Sequence, residues 1–114
     1  MSLEDCITGG VWKPASVEDE PRTILSRFQV YKVKNPKTNN WDIHFAGWCG
    51  EGRVCSAVQS FDKATRCGIT RSGRVYQLSG DPGMNMDAMY VWGNWLAIYG
   101  NPEHECITEE YLRV

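Results

Sequence analysis

Two periodicities divide this chain. From Thr23 to Ser79 apolar residues recur mostly at every second position, and from Met86 to Tyr99 they crowd together at helical spacing. In the first region the clearest alternation is Trp41, Ile43 and Phe45 against Asp42, His44 and Ala46, a strand with one face toward a core. Thr23 to Lys34 is rich in β-formers. Its apolar residues fall in both parities, Ile24, Phe28 and Val30 in one and Leu25, Tyr31 and Val33 in the other, so it predicts a long strand partly covered on both faces. Asn35 to Asn40 is a turn by composition, and Gly50-Glu51-Gly52 closes a hairpin into a strand over Arg53 to Phe61. Asp62 to Arg66 loops to two further strands, Cys67 to Arg71 and Arg74 to Ser79, joined at Ser72-Gly73, where glycine can adopt a positive φ. The pattern predicts a five-stranded antiparallel meander.

The second region opens on Asp81-Pro82-Gly83, a turn signal, followed by Asn85 as a helix N-cap and Asp87 in the first turn, where the helix dipole favours an anion. Gly100-Asn101-Pro102 supplies the residues expected past a helix C-terminus. The fold class is therefore α+β, a five-stranded meander packed against one long C-terminal helix. A single domain is expected over residues 1–114: an extended arm (1–22), the sheet (23–79), the helix (85–100) and a tail (101–114) with a short strand at Cys106 to Thr108.

Steps of about 100° per residue put Met89, Trp92, Gly93 and Leu96 on one face of the helix and Val91, Trp95 and Ile98 on a stripe roughly opposite. One sheet accounts for the first face. Leaving the second in water forgoes burial of about 300 to 400 Å², roughly 8 to 10 kcal/mol of gross hydrophobic stabilisation. Its cover is either the chain itself, through Val11, Trp12, Tyr111 and Leu112, or a two-fold copy, or a protein or small apolar ligand. The expected interface comprises Val91, Trp95 and Ile98 with Asp81 and Asn85 at the helix start.

Composition narrows the remaining chemistry. Twelve Lys and Arg against fourteen Asp and Glu leave a formal charge of −2, which provides no general field for polyanions. The sequence carries no export signal and no apolar run of membrane-spanning length, so the expected compartment is the cytoplasm, with no membrane partner. Five cysteines, an odd number, then read as free thiols rather than a disulfide framework. With His44 and His104 they lack the paired spacing of a structural metal site, so no metal and no cofactor is expected.

Three functions are consistent with these features. The first is a small non-enzymatic binding or adaptor module that self-associates through the helix stripe as a homodimer. The second, from a different class, is a cysteine/histidine-dependent enzyme with a pocket between helix and sheet, using His44 with Cys49 or Cys55. The third is single-stranded nucleic-acid binding through Lys63, Arg66, Arg71 and Arg74, with Tyr76 as a stacking aromatic.

Overall fold

A computed structural model describes residues 22–113 of the chain. The element order is β1 (Arg22–Lys34), β2 (Trp41–Trp48), β3 (Gly52–Val54), β4 (Val58–Asp62), β5 (Cys67–Thr70), β6 (Val75–Leu78), α1 (Met86–Ile98), β7 (His104–Cys106) and α2 (Thr108–Leu112). The α+β class holds, built mostly on sheet. The expected arm, with Val11 and Trp12, lies outside the described residues.

The meander gives way to a seven-stranded mixed sheet in the order β3-β2-β1-β6-β5-β4, with β7 also paired to β1. The cause lies in β1, which serves two sets of neighbours. Its first residues, Arg22 to Leu25, pair in parallel with Val75 to Leu78 of β6, whereas Ser26 to Lys34 pair antiparallel with β2. Beyond the β6 pairing, Tyr31 to Val33 take β7 as an antiparallel partner. Between the two halves the register shifts at Ser26/Gln29, where Arg27 sits at φ 46°, so the strand bends and its inward parity changes. Leu25 from one parity and Phe28 and Val30 from the other therefore enter the same core cluster. The mixed parity of this segment thus reflects both the bulge and the expected cover on two faces, with Val30 in one core cluster and Tyr31 and Val33 in the other.

The expected strand over Arg53 to Phe61 divides at Cys55-Ser56-Ala57. Val54 ends β3 beside β2, and Val58 begins β4, which pairs with β5 in the other limb of the sheet. The two limbs close on each other. Phe45 of β2 meets Phe61 of β4 edge-on at 5.8 Å and Tyr111 of α2 at 6.0 Å, its ring seated over Gly68 of β5. A Cβ on Gly68 would lie 2.9 Å from that ring. α2 thus caps the core between the limbs through Tyr111 and Leu112.

The second core lies on the other face of the β1–β2–β3 limb, where α1 packs on Tyr31, Val33, Ala46 and Val54. In place of one long helix there is this 13-residue α1, about 20 Å long, and the five-residue α2. The start and stop signals of α1 act as their residue types predict: Asn85 accepts a hydrogen bond from Ala88 N at 3.0 Å, and Gly100 takes φ 78° just past the C-cap. At its N-terminal end the helix backbone at Asp87 and Ala88 rests directly on Gly52 of β3, where any Cβ would collide.

Candidate functional site

The two helix faces anticipated above are one. The buried residues of α1 are Ala88, Val91, Trp92, Trp95 and Leu96, and steps of 100° place all five within an arc of about 140°. The sheet meets the helix midway between the expected faces. It covers Val91 (1% exposed) and Trp95 (3%) together with Trp92 (4%), so the first two cannot form an outer interface. Of the predicted stripe only Ile98 is exposed, at 51%. Asn85 spends its side chain on the cap, and Asp81 is exposed in the loop before the helix.

Aromatic rings fill the space between α1 and the sheet. Tyr31 stacks on Trp92 at 4.2 Å, Trp92 on Trp95 at 5.3 Å, and Trp95 meets Tyr99 at 4.5 Å and the His44 ring at 4.7 Å. The pocket expected there for an enzyme is occupied by these rings. The same packing settles His44, which is 3% exposed. Its Nδ1 lies 2.9 Å from the Cys55 carbonyl, an acceptor only, so Nδ1 carries the proton. Burial holds its pKa below the ordinary value; the bond to Cys55 O and the nearby Asp42 act in the opposite sense, and Arg71 pulls it lower.

The Cys55 thiol sits across the sheet from that ring. Its sulfur accepts the Phe45 N–H at 3.1 Å, among Leu25, Phe28 and Phe45. Cys49 packs against this same far cluster, and its thiol donates to Glu51 O at 3.7 Å. The sheet thus separates His44 from both sulfurs and the nucleophile–base pair does not form. Asp42 pairs with Arg71 at 3.8 Å and accepts from Asn35 at 3.3 Å. No group of three or more His, Cys, Asp or Glu suited to a metal occurs among the described residues.

The nucleic-acid set is likewise dispersed. Arg74 (4% exposed) and Tyr76 (3%) point between the limbs, where burial, with the nearby Cys55, pushes the Tyr76 phenol up to about 12 against the opposing effect of Arg53 and Arg74. Lys63 and Arg66 donate to the Arg113 and Gly80 carbonyls from one end of β5, while Arg71 lies at its other end. Arg53, which the sequence pattern marks only as a strand residue, is 2% exposed, bonded to Thr23 Oγ1 at 3.2 Å and paired with Glu51 at 3.3 Å. It faces Gly47 in the ladder, where Leu25 and Phe28 fill the space that a side chain at position 47 would need.

What the fold leaves in water is a different apolar surface. Met84 (74% exposed), Met86 (90%), Tyr90 (67%) and Ile98 are exposed on α1 and its leading loop, Met86 and Tyr90 on the side away from the sheet. Met86, Tyr90, Gly93 and Ala97 form one line on the outer face at i, i+4, i+7 and i+11, all exposed. Trp48, 38% exposed, lies opposite Gly52 in the ladder and shares the face on which the helix N-terminus rests, extending the patch onto the sheet. A second, shallow hollow lies on the outer face of the β6–β5–β4 limb, floored by Cys67, Ile69 and Val75 with Arg22 and Asp62 at its rim. No helix among the described residues is long and apolar enough to cross a membrane. No protein-family model, curated protein or solved structure matches this chain.

Proposed function

We propose that the protein is a small non-enzymatic binding or adaptor module of the cytoplasm, whose docking surface is the outer face of α1 with the loop before it. The carrying observation is the exposure of Met84, Met86, Tyr90 and Ile98 on an element whose inner face is fully occupied. Scattered apolar residues on a surface need no explanation, but four on one short segment do. Methionine and tyrosine also suit a docking surface, because the thioether adapts to irregular partners and the phenol presents a rigid ring with a polar tip. Burying the four residues would contribute roughly 10 kcal/mol of gross hydrophobic stabilisation before the costs of association. Asp81 and the free edge of Trp48 border this surface and supply its polar and aromatic rim.

The test is photo-crosslinking in cells that produce the protein, with a benzophenone side chain placed at position 90 and, as a control, at the exposed Lys37 in the β1–β2 turn. Adducts from position 90 and none from position 37 are expected. Equal yields from the two positions, or none from position 90, would overturn the proposal.

A further inference from the structure

We infer that the occupant of this surface is a second copy of the chain, held in a two-fold antiparallel pairing of α1 helices; this rests on the docking surface proposed above. The residues along the outer line are graded in size. Met86 and Tyr90 are large and stand in the N-terminal half, whereas Gly93 and Ala97 are small and stand in the C-terminal half. A Cβ built on Gly93 meets nothing within 4 Å, so a hollow is open there. A two-fold contact sets residue i of one protomer against j of the other and j against i. With the axis between Tyr90 and Gly93, each Tyr90 lies over the partner's Gly93 and each Met86 over the partner's Ala97, so both ends fill both hollows. A parallel pairing stacks large on large and leaves the small half unfilled.

The helix dipoles favour the same arrangement, because they oppose in the antiparallel case. The exposed parts of Met84, Met86 and Tyr90 come to about 500 Å² per protomer, hence about 1,000 Å² in a pair, the lower limit of a specific interface. That area fits a reversible dimer. Strand addition at the β4 edge, one alternative route to self-association, is blunted by the register shift at Val58/Ser60 and by the exposed Gln59, Ser60 and Asp62.

Sedimentation equilibrium over a concentration series tests the inference, with Gly93→Glu as the variant. That change raises helix propensity at an open position, so the fold is retained, while bulk and charge enter the crossing point. The native chain should dimerise with a dissociation constant in the micromolar range, and Gly93→Glu should weaken it at least tenfold. A native chain still monomeric near 1 mM, or an unchanged constant in a folded Gly93→Glu, would overturn it. Geometry is read by disulfide trapping in a background with Cys6, Cys49, Cys67 and Cys106 replaced by serine. Met86→Cys mixed with Ala97→Cys should cross-link and Met86→Cys alone should not; self-linking of Met86→Cys would overturn the antiparallel arrangement. A monomeric native chain whose position 90 cross-links to a different protein would refute the second copy and leave the docking surface standing.

Discussion

Replacing Trp95 by alanine separates an internal aromatic stack from an interface residue. The indole is 3% exposed and packed among Trp92, Tyr99 and His44. Burial of about 200 Å² contributes about 5 kcal/mol at 25 cal/mol per Å². Against this, Trp95 Nε1 is buried without a hydrogen-bond acceptor, and removing that donor returns about 1 to 2 kcal/mol. A net loss of about 3 to 4 kcal/mol follows, within the range for a large-to-small core change. In urea unfolding followed by far-ultraviolet circular dichroism, a slope of about 1.5 kcal/mol per M puts the midpoint about 2 M lower than in the native chain. Trp95→Phe keeps a ring and discards the unpaired N–H, so its loss should stay below about 1.5 kcal/mol. A Trp95→Ala loss under about 1 kcal/mol, together with weaker self-association, would refute the assignment of this residue to the chain's own core.

Other perturbations probe separate parts of the structure. Because burial lowers the folded-state pKa of His44 below its unfolded value near 6.5, the unfolded chain binds the extra proton first; stability should be full above pH 6.5 and decline as the pH falls through and below it. Urea midpoints measured from pH 5 to 8 should show this slope in the native chain and a smaller one in His44→Phe. Gly52→Ala should cost about 1 to 3 kcal/mol in thermal unfolding, because its methyl collides with the α1 backbone at Asp87 and Ala88. Asn85→Ala should cost about 1 kcal/mol by the same measurement, and Asn85→Asp much less. In mass-resolved thiol labelling Cys106 should react first among the four described cysteines and Cys55, 1% exposed, only on unfolding.

The limits of α1 were legible because they depend on local chemistry: Asn85 caps one end and Gly100 turns the other. The β5–β6 hairpin was legible for the same reason, with Gly73 at φ 91° between paired strands. The branching of β1 was not, because a strand that pairs in parallel at one end and antiparallel at the other carries no local signature of its partners. Its bulge did leave a trace in the switch of apolar parity between Leu25 and Phe28. The helix faces went astray because Val91 and Trp95 were grouped apart from Trp92 and Leu96, although all four fit one broad stripe. Once they are joined, Met86, Tyr90, Gly93 and Ala97 are left to define the outer face. Arg74 and Tyr76 share the inward parity of Leu78, a period-two signal that outweighs charge as a guide to burial in this segment. The separation of His44 from Cys55 also follows from alternation, since the thiol packs beside Phe45, the neighbour of His44 on the opposite face.

Hydroxyl-radical footprinting as a function of protein concentration tests most directly the claim that the inner stripe belongs to the chain and the outer face to a partner. At low concentration Met86 and Tyr90 should oxidise rapidly while Trp92 and Trp95 remain protected. As concentration rises through the micromolar range, Met86 and Tyr90 should become protected, and the two tryptophans should not change. Rapid oxidation of Trp95 in the dilute chain, or Met86 and Tyr90 equally reactive at every concentration, would contradict the account.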